Sequence, residues 1–350
     1  MQRETVLVTG GAGFIGSHVV ERLIKSGYRT LILDLLTYAG NLANLESVCG
    51  HERYLFTQGD ICDHTVVAKL LLAHQPGAIL NIAAETHVDR SIDNAAVFIK
   101  TNVDGTYWML EAALAHWRAL PEASRADFRF IQMSTDEVYG SIAVGEFTEA
   151  SNYAPNSPYA ASKAAGDHLV RAYHKTYGLP AVIVHASNTY GPRQYPEKLI
   201  PHMLLAAMNG RPLPVYGEGK NVRDWMHVHD LASGLERVVE WGLPGETYNF
   251  SGGTERSNID TVRLICSHLA QLSPSPCDYE ELITFVTDRP GHDLRYAMNT
   301  TKVERELGWR PSTHFEDGLP DTIDWYLKNM DWCSAVLSCG YECARIGTRQ

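Results

Sequence analysis

Three features of the sequence predict an α/β chain: a doubly wound parallel sheet with a smaller C-terminal substrate-binding lobe. The first is a series of short, mostly uninterrupted apolar runs: "TVLVTG", "RTLILD", "YLFTQGD", "AILNIAA", "FRFIQMS" and "AVIVHAS". Runs of this kind suit parallel strands covered on both faces. The second is the intervening pattern, since "SHVVERLIKSG" and "DHTVVAKLLLAHQ" space their apolar residues as helices packed on a sheet do. The third is the glycine-rich "TGGAGFIGS", which joins the first strand to the first helix and marks the sheet as Rossmann-type.

After residue 190 the alternation loosens and Pro and Gly become commoner. Helices are predicted through "HMLLAAMNG", "DLASGLERVVEWG", "IDTVRLICSHLAQL" and "LPDTIDWYLKNM", with a strand at "ETYNFSG". The expected division is a Rossmann domain over 1–190 that also carries the catalytic residues, a smaller lobe over 191–330 that shares some strands with it, and a tail over 331–350 of no assigned role. No linker-like segment separates the two parts, so they are expected to pack around one cleft.

Charge narrows the partners. The 350 residues carry a formal net charge of -11, which argues against a nucleic acid or an anionic membrane surface, because each demands a basic footprint. An anionic small molecule fits only where a few Arg and Lys converge. No apolar run has the length of a membrane span and no secretory signal is evident, so a cytoplasmic location is expected. The seven cysteines are odd in number and scattered, which does not suggest a disulfide framework. Cys333, Cys339 and Cys343 cluster without a neighbouring histidine and are expected to be free thiols; no metal is expected.

The glycine turn has a chemical reading. Gly10, Gly13 and Gly16 permit a sharp turn, close approach to a pyrophosphate and tight packing of the helix, whose first N–H groups face the anion. The second strand ends in Asp34, where a carboxylate accepts the ribose hydroxyls of a dinucleotide, and no Arg or Lys follows it in "DLLTYAGN" to balance a 2′-phosphate. NAD is therefore expected rather than NADP. Asp60 ends the third strand toward the adenine, and Ala83 and Ala84 end the fourth near the middle of the cofactor; Phe14, Ile15, Thr37, Ile61 and Thr101 complete the expected cofactor set.

In "YAASK", Tyr159 and Lys163 stand four apart, on one face of a helix. A tyrosine is a poor base at neutral pH unless nearby positive charge favours its phenolate; given that charge, it can take the proton of an alcohol as hydride leaves. The segment "STDEVYG" sets Asp136 and Glu137 side by side after an apparent buried strand. Two acids in one pocket can be held in different protonation states and so divide acid and base roles.

With "TGGAGFIG" and "YAASK", the layout resembles the extended short-chain dehydrogenase/reductase family of nucleotide-sugar enzymes. Within it, "STDEVYG", "AAETHVDRSI", "LTYAGNL", "YPEKLIP", "RDW" and "DRPGHDLRY" resemble the dTDP-glucose 4,6-dehydratases, over about residues 5 to 328. The resemblance implies oxidation of the sugar at C4, removal of the C5 proton by Glu137, loss of the C6 hydroxyl as water with Asp136 as acid, and return of hydride to C6. It gives Thr135 a hydrogen bond to the C4 oxygen. It lines the nucleotide and diphosphate site with Asn188, Lys198, Leu199, Pro214, Tyr216, Arg223, Asn258, Arg289 and His292. Thr86 and His87 are placed to reach sugar or cofactor, a satisfied core histidine being the alternative at His87. It also implies a homodimer through helices beside the sheet.

The acid pair makes a structural demand, because neighbours on a strand face opposite ways; the chain must leave strand geometry at about Ser134. Three departures from the family pattern stand out. Thr189 occupies a position that is often asparagine, and His227 and His229 replace an aromatic and an acid, with the nearby Asp230 suited to capping a helix. The competing readings are a UDP-sugar 4,6-dehydratase, a nucleotide-sugar 4-epimerase, which needs Tyr159 and Lys163 but not the acid pair, and a catalytically silent NAD-sensing protein.

Overall fold

The structure, a computed structural model, describes residues 4–276 and 278–338. The predictions about Cys339 and Cys343 lie outside the described residues.

Seven parallel strands form the central sheet: β1 (Thr5–Thr9), β2 (Arg29–Asp34), β3 (Tyr54–Gln58), β4 (Ala78–Asn81), β5 (Arg129–Thr135), β6 (Ala181–Ala186) and β7 (Thr247–Phe250). Their order is β3-β2-β1-β4-β5-β6-β7, so the chain winds outward from β1 in both directions. Val8 pairs with Ile32 on one side and Leu80 on the other, which places the strand ends that follow at one crevice. Both faces are covered, which is why the strands read as continuous apolar runs. Val6, Val8, Leu80 and Val184 point into one core with Val19, Leu231, Leu235 and Trp309. Leu7, Leu31, Ile79 and Ile183 point into the other with Met109, Leu110 and Val170.

The six expected strands and the two expected helices of the first half are present, as are the later helices at Leu199–Met208, Val228–Trp241, Asn258–Leu272 and Phe315–Lys328. The strand expected at "ETYNFSG" is β7. It pairs in parallel with β6, Thr247 opposite Ile183, so the main sheet is completed by chain from the C-terminal half. Helix Val228–Trp241 and the segment around Trp309 pack on the same face of that sheet. The smaller lobe has its own core of Tyr190, Ile200, Leu204, Trp225, Val262, Phe315 and Tyr326. It adds a three-stranded sheet (Glu255–Ser257, Val222–His227, Asn188–Tyr190) and a two-stranded one (Ile283–Val286, Leu213–Tyr216).

The chain past residue 329 continues as a helix, Met330–Ser338, in which Cys333 is a free but fully buried thiol inside the lobe core. The longest described helix, Pro158–Tyr177, begins with Ser157 accepting a hydrogen bond from the Ala160 N–H at 3.1 Å and Pro158 in its first turn. It ends at Gly178 with φ 74°, a left-handed stop that favours glycine. Asp230 does not cap its helix: the N-cap is His227, whose ring accepts from the His229 N–H, while Asp230 accepts from Ser312 and Thr313 and fixes the loop ahead of the helix Phe315–Lys328. The prediction of an Asp230 cap fails because the helix starts three residues earlier than that role requires. No described helix is long and apolar enough to cross a membrane.

Trp309 ties the returning chain to the main core. Its ring packs on Phe250 at 4.6 Å and its indole N–H donates to the Asp230 carbonyl and Ser233 Oγ. Trp309→Ala should cost about 3–5 kcal/mol, read as a lower urea midpoint at unchanged slope.

Candidate active site

The cofactor end is built from backbone. Gly10, at φ 67°, donates its N–H to Leu33 and accepts from Gly13 at 3.1 Å. A Cβ on Gly16 would lie 2.1 Å from the Gly10 carbonyl oxygen, so only glycine lets the helix Phe14–Lys25 approach this closely. That helix has no side-chain cap, which leaves its first N–H groups for an anion. Asp34 is fixed at the rim by Ala12 N–H (2.9 Å) and Leu36 N–H (2.8 Å), with acceptor capacity left over; burial raises its pKa. A cavity of about 460 Å³ runs from this turn along the strand ends. It is lined by Gly10, Gly13, Phe14, Ile15, Gly16, Asp34, Thr37, Asp60, Ile61, Ala83, Ala84, Thr101 and Tyr159, and its size falls in the range of ligand clefts. The cradle that a Cβ would fill and the uncapped helix fit a dinucleotide.

β5 ends at Thr135, one residue later than the acid pair's geometry suggested. Thr135 then caps a short 3-10 turn, Asp136–Tyr139, its hydroxyl accepting from the Glu137 N–H at 3.3 Å, and Gly140 closes the turn at φ 82°. This turn brings two adjacent carboxyls to one cleft. Their surroundings differ. Asp136 is buried; Thr135 donates to its Oδ1 at 3.1 Å and its Oδ2 has no hydrogen-bond partner. Burial, then the charge of Glu137, drives its pKa well above the ordinary carboxylate value, which favours its protonated form. Burial also raises Glu137, but Arg289, Arg223 and Lys198 pull it back toward the ionised form.

Tyr159 is buried in the same corner. Burial and the charge of Glu137 raise its pKa, while the neighbouring Thr135 hydroxyl acts in the opposite sense. Lys163 donates to the Met133 carbonyl at 2.6 Å; burial lowers its pKa to about 8, with Asp167 acting in the opposite sense. Asp167 was not among the predicted residues. It is fully buried and accepts from Ser134 Oγ (2.7 Å) and Tyr153 OH (3.1 Å), with His185 Nε2 at 3.2 Å. Its position four residues after Lys163 was the available signal.

A second cavity opens beside the first and shares Thr86, Glu137, Asn188, Glu197 and Lys198 with it. Its wall contains all the predicted substrate residues: Thr86, Asn188, Lys198, Leu199, Pro214, Tyr216, Arg223, Asn258, Arg289 and His292. Arg223 does not pair with Asp224; it donates to the carbonyls of Val222 and Asp293 and lies over the Tyr296 ring at 4.5 Å. Asp224 is instead held by Ser251 and Thr254. Lys198 donates to the Thr86 carbonyl at 2.7 Å, and Arg289 pairs with Asp89 at 3.3 Å. His292 has its pKa lowered to about 4 by burial, Arg289 and Arg223, so it is neutral near pH 7. His87 also lines the cavity, but its ring caps the helix Val88–Asp93 by accepting from Arg90 N–H at 3.3 Å. Asp89, Glu197 and Tyr296 were missed. Asp89 orders Tyr216, whose hydroxyl donates to it at 2.6 Å, and Glu197 accepts from Tyr38 OH at 3.1 Å beside Arg90. Among the described residues no cluster of three or more His, Cys, Asp or Glu is arranged to hold a metal.

A glycine cradle, a ribose carboxylate and a Tyr–Lys pair on a doubly wound sheet define an extended short-chain dehydrogenase/reductase. The family model described as GDP-mannose 4,6 dehydratase matches residues 7–322, and the chain belongs to that family. It is 53% identical over 346 residues to the dTDP-glucose 4,6-dehydratase of Xanthomonas campestris pv. campestris (strain B100), covering 98% of this chain and 99% of that one. Identity to the dTDP-glucose 4,6-dehydratase of Neisseria meningitidis serogroup B is 50% over 350 residues, with 98% and 99% covered. The crystal structure of DesIV, a dTDP-glucose 4,6-dehydratase from Streptomyces venezuelae with NAD and dTDP bound, superposes with a TM-score of 0.87 at 45% identity, covering 95% of this chain and 99% of that one.

The Asp136 carboxyl gives a stability test. Its folded pKa lies above its ordinary value of 3.8, so the folded state binds more protons between those two values and loses stability as pH rises through them. Asp136→Asn removes this loss. Its melting temperature should exceed that of the wild type by about 2–4 °C at pH 8, a gap that closes toward pH 4.

Proposed function

We propose that the chain catalyses the NAD-dependent dehydration of dTDP-glucose to dTDP-4-keto-6-deoxyglucose, a hydro-lyase reaction. The observation that carries this reading is the unequal environment of two adjacent carboxyls, Asp136 and Glu137, where the two cavities meet. Elimination of water needs both an acid and a base, and this pair supplies one of each.

Bound NAD would supply a hydride acceptor for C4, a hydride source for C6 and a positive charge in the cleft. Gly10, Gly13, Gly16 and the N-terminus of the first helix would hold its pyrophosphate, and Asp34 its ribose. Tyr159 takes the proton of the C4 hydroxyl, with Thr135 holding the C4 oxygen and the Lys163 ammonium favouring the phenolate. The C4 ketone acidifies the C5 hydrogen, which Glu137 removes. Asp136 gives its proton to the C6 hydroxyl, which leaves as water, and Glu137 returns a proton to C5. Arg223, Arg289 and Lys198 balance the diphosphate charge that an acidic protein would otherwise repel, Arg223 and Arg289 by planar forks suited to phosphate oxygens. Neutral His292 serves as a hydrogen-bonding group there.

The division of labour follows the two bodies. The large sheet, with its returning strand β7, holds the cofactor and the catalytic groups, and the smaller lobe holds the nucleotide. A cytoplasmic homodimer is the assembly this reading carries, and sedimentation of the purified chain tests its size. An epimerase shares Tyr159 and Lys163 but has no use for an acid and a base at Asp136 and Glu137.

The test is incubation with dTDP-glucose, and separately UDP-glucose, followed by mass spectrometry. Loss of one water from the dTDP sugar is expected; an unchanged mass with inverted C4 overturns the reading. In Glu137→Gln, water loss should fall about 10²–10⁴-fold while loss of a C4 deuterium label survives. Undiminished water loss would remove Glu137 from the role of base.

A further inference from the structure

The predicted tail begins in a helix whose first residues reach the cofactor turn. Trp332 lies against Trp325 (5.2 Å) and Tyr326 (6.2 Å) in the smaller lobe, and its indole N–H donates to Asn44 Oδ1 at 2.9 Å. Asn44, only 2% exposed, sits in the short 3-10 segment Leu42–Val48. Its Nδ2 donates to the Ala12 carbonyl at 2.9 Å, which also accepts from Asn41 N–H at 3.0 Å. The Ala12 N–H in turn donates to Asp34 Oδ2 at 2.9 Å. An indole only donates and a carbonyl only accepts, so the Asn44 carboxamide has a single orientation that satisfies both neighbours.

A third contact converges on the same residue. The Arg193 guanidinium donates to the Asn44 carbonyl oxygen and pairs with Glu21 at 2.7 and 3.0 Å. Arg193 is held at φ 65°, a left-handed conformation that costs a side-chain-bearing residue energy and persists only when its surroundings enforce it. The residues just after it, Tyr195, Glu197 and Lys198, line the cofactor cavity.

We propose that Asn44, oriented by Trp332, is a positioning residue for the glycine turn and Asp34, so that the helix Met330–Ser338 of the smaller lobe tightens the grip of the larger body on its dinucleotide. The inference rests on the NAD reading above. Trp332→Phe keeps the ring and removes the N–H; Asn44→Asp keeps the acceptor for Trp332 and removes the donor to Ala12. Trp325→Phe alters the same aromatic cluster without touching Asn44.

Titration calorimetry with NAD on cofactor-stripped full-length protein, beside melting curves without NAD, separates the cases. Trp332→Phe and Asn44→Asp should each weaken NAD binding by roughly 3- to 10-fold, the size of one hydrogen bond, while Trp325→Phe lowers the melting temperature and leaves NAD affinity within twofold. NAD affinity within twofold of wild type in Asn44→Asp, or equal weakening in Trp325→Phe, overturns the positioning role while the cofactor reading stands. Wild-type protein that binds no NAD overturns both. Should Trp332→Phe fail to fold, Asn44→Asp decides alone.

Discussion

Two adjacent carboxyl groups, Asp136 buried and Glu137 half-buried, constrain the rest of this structure. Burial raises the pKa of Asp136 and of Glu137, and the charge of Glu137 raises Asp136 further. A second influence comes from outside the pair. Arg289, Arg223 and Lys198 all draw Glu137 toward its ionised form, whereas Arg223 is a lesser influence on Asp136, whose second oxygen meets no donor. The acids stand at the end of β5 in the large body, and all three cations come from chain beyond residue 190. The pull of these cations on Glu137 therefore exists only while the two bodies are held together.

The route of the chain explains how they are held. After leaving the main sheet to build Asn188–Tyr190, Leu199–Met208 and Val222–His227, it returns as the helix Val228–Trp241 and strand β7. It leaves again for Asn258–Leu272, returns for the segment that ends at Trp309, and leaves once more for Phe315–Lys328. Each return is anchored by buried apolar contacts with the main core, so the lobe cannot separate without breaking that core. Polar ties close the remaining gap: Arg193 with Glu21, and Trp332 with Asn44.

Much of this was legible in the sequence because each feature carries a local physical signature. Parallel strands covered on both faces must be continuously apolar, a pyrophosphate turn must use glycine where backbones nearly touch, and a Tyr–Lys pair must recur at helical spacing. Groups whose roles depend on distant partners were less legible. Asp89 looks like a solvent-facing acid until Arg289, two hundred residues later, meets it. Glu197 was passed over beside the predicted Lys198, although Tyr38 and Arg90 fold onto it. Four of the small-lobe strands have only three or four residues, too few to show a period, and the six of Val222–His227 mix charged with apolar side chains; the Asp230 cap failed because the helix began at Val228.

The Tyr159–Lys163 pair shows the same dependence on something behind it. An ammonium buried with the Met133 carbonyl as its hydrogen-bond acceptor is costly, and burial alone works to strip its proton. Asp167, one helical turn further along, opposes that loss. It is itself held in place by Ser134, Tyr153 and His185, and the other ring nitrogen of His185 meets Tyr139, the last residue of the turn that starts with the acid pair. One buried carboxylate thus connects both halves of the chemistry. It sustains the charge of Lys163, although its own charge also works against a phenolate at Tyr159, and through Ser134 and His185 it braces the strand end and turn that set Asp136 and Glu137 in place. The carboxylate that braces the site never needs to touch the sugar, which is why its side chain can be wholly buried while Glu137 stays partly open to the cleft.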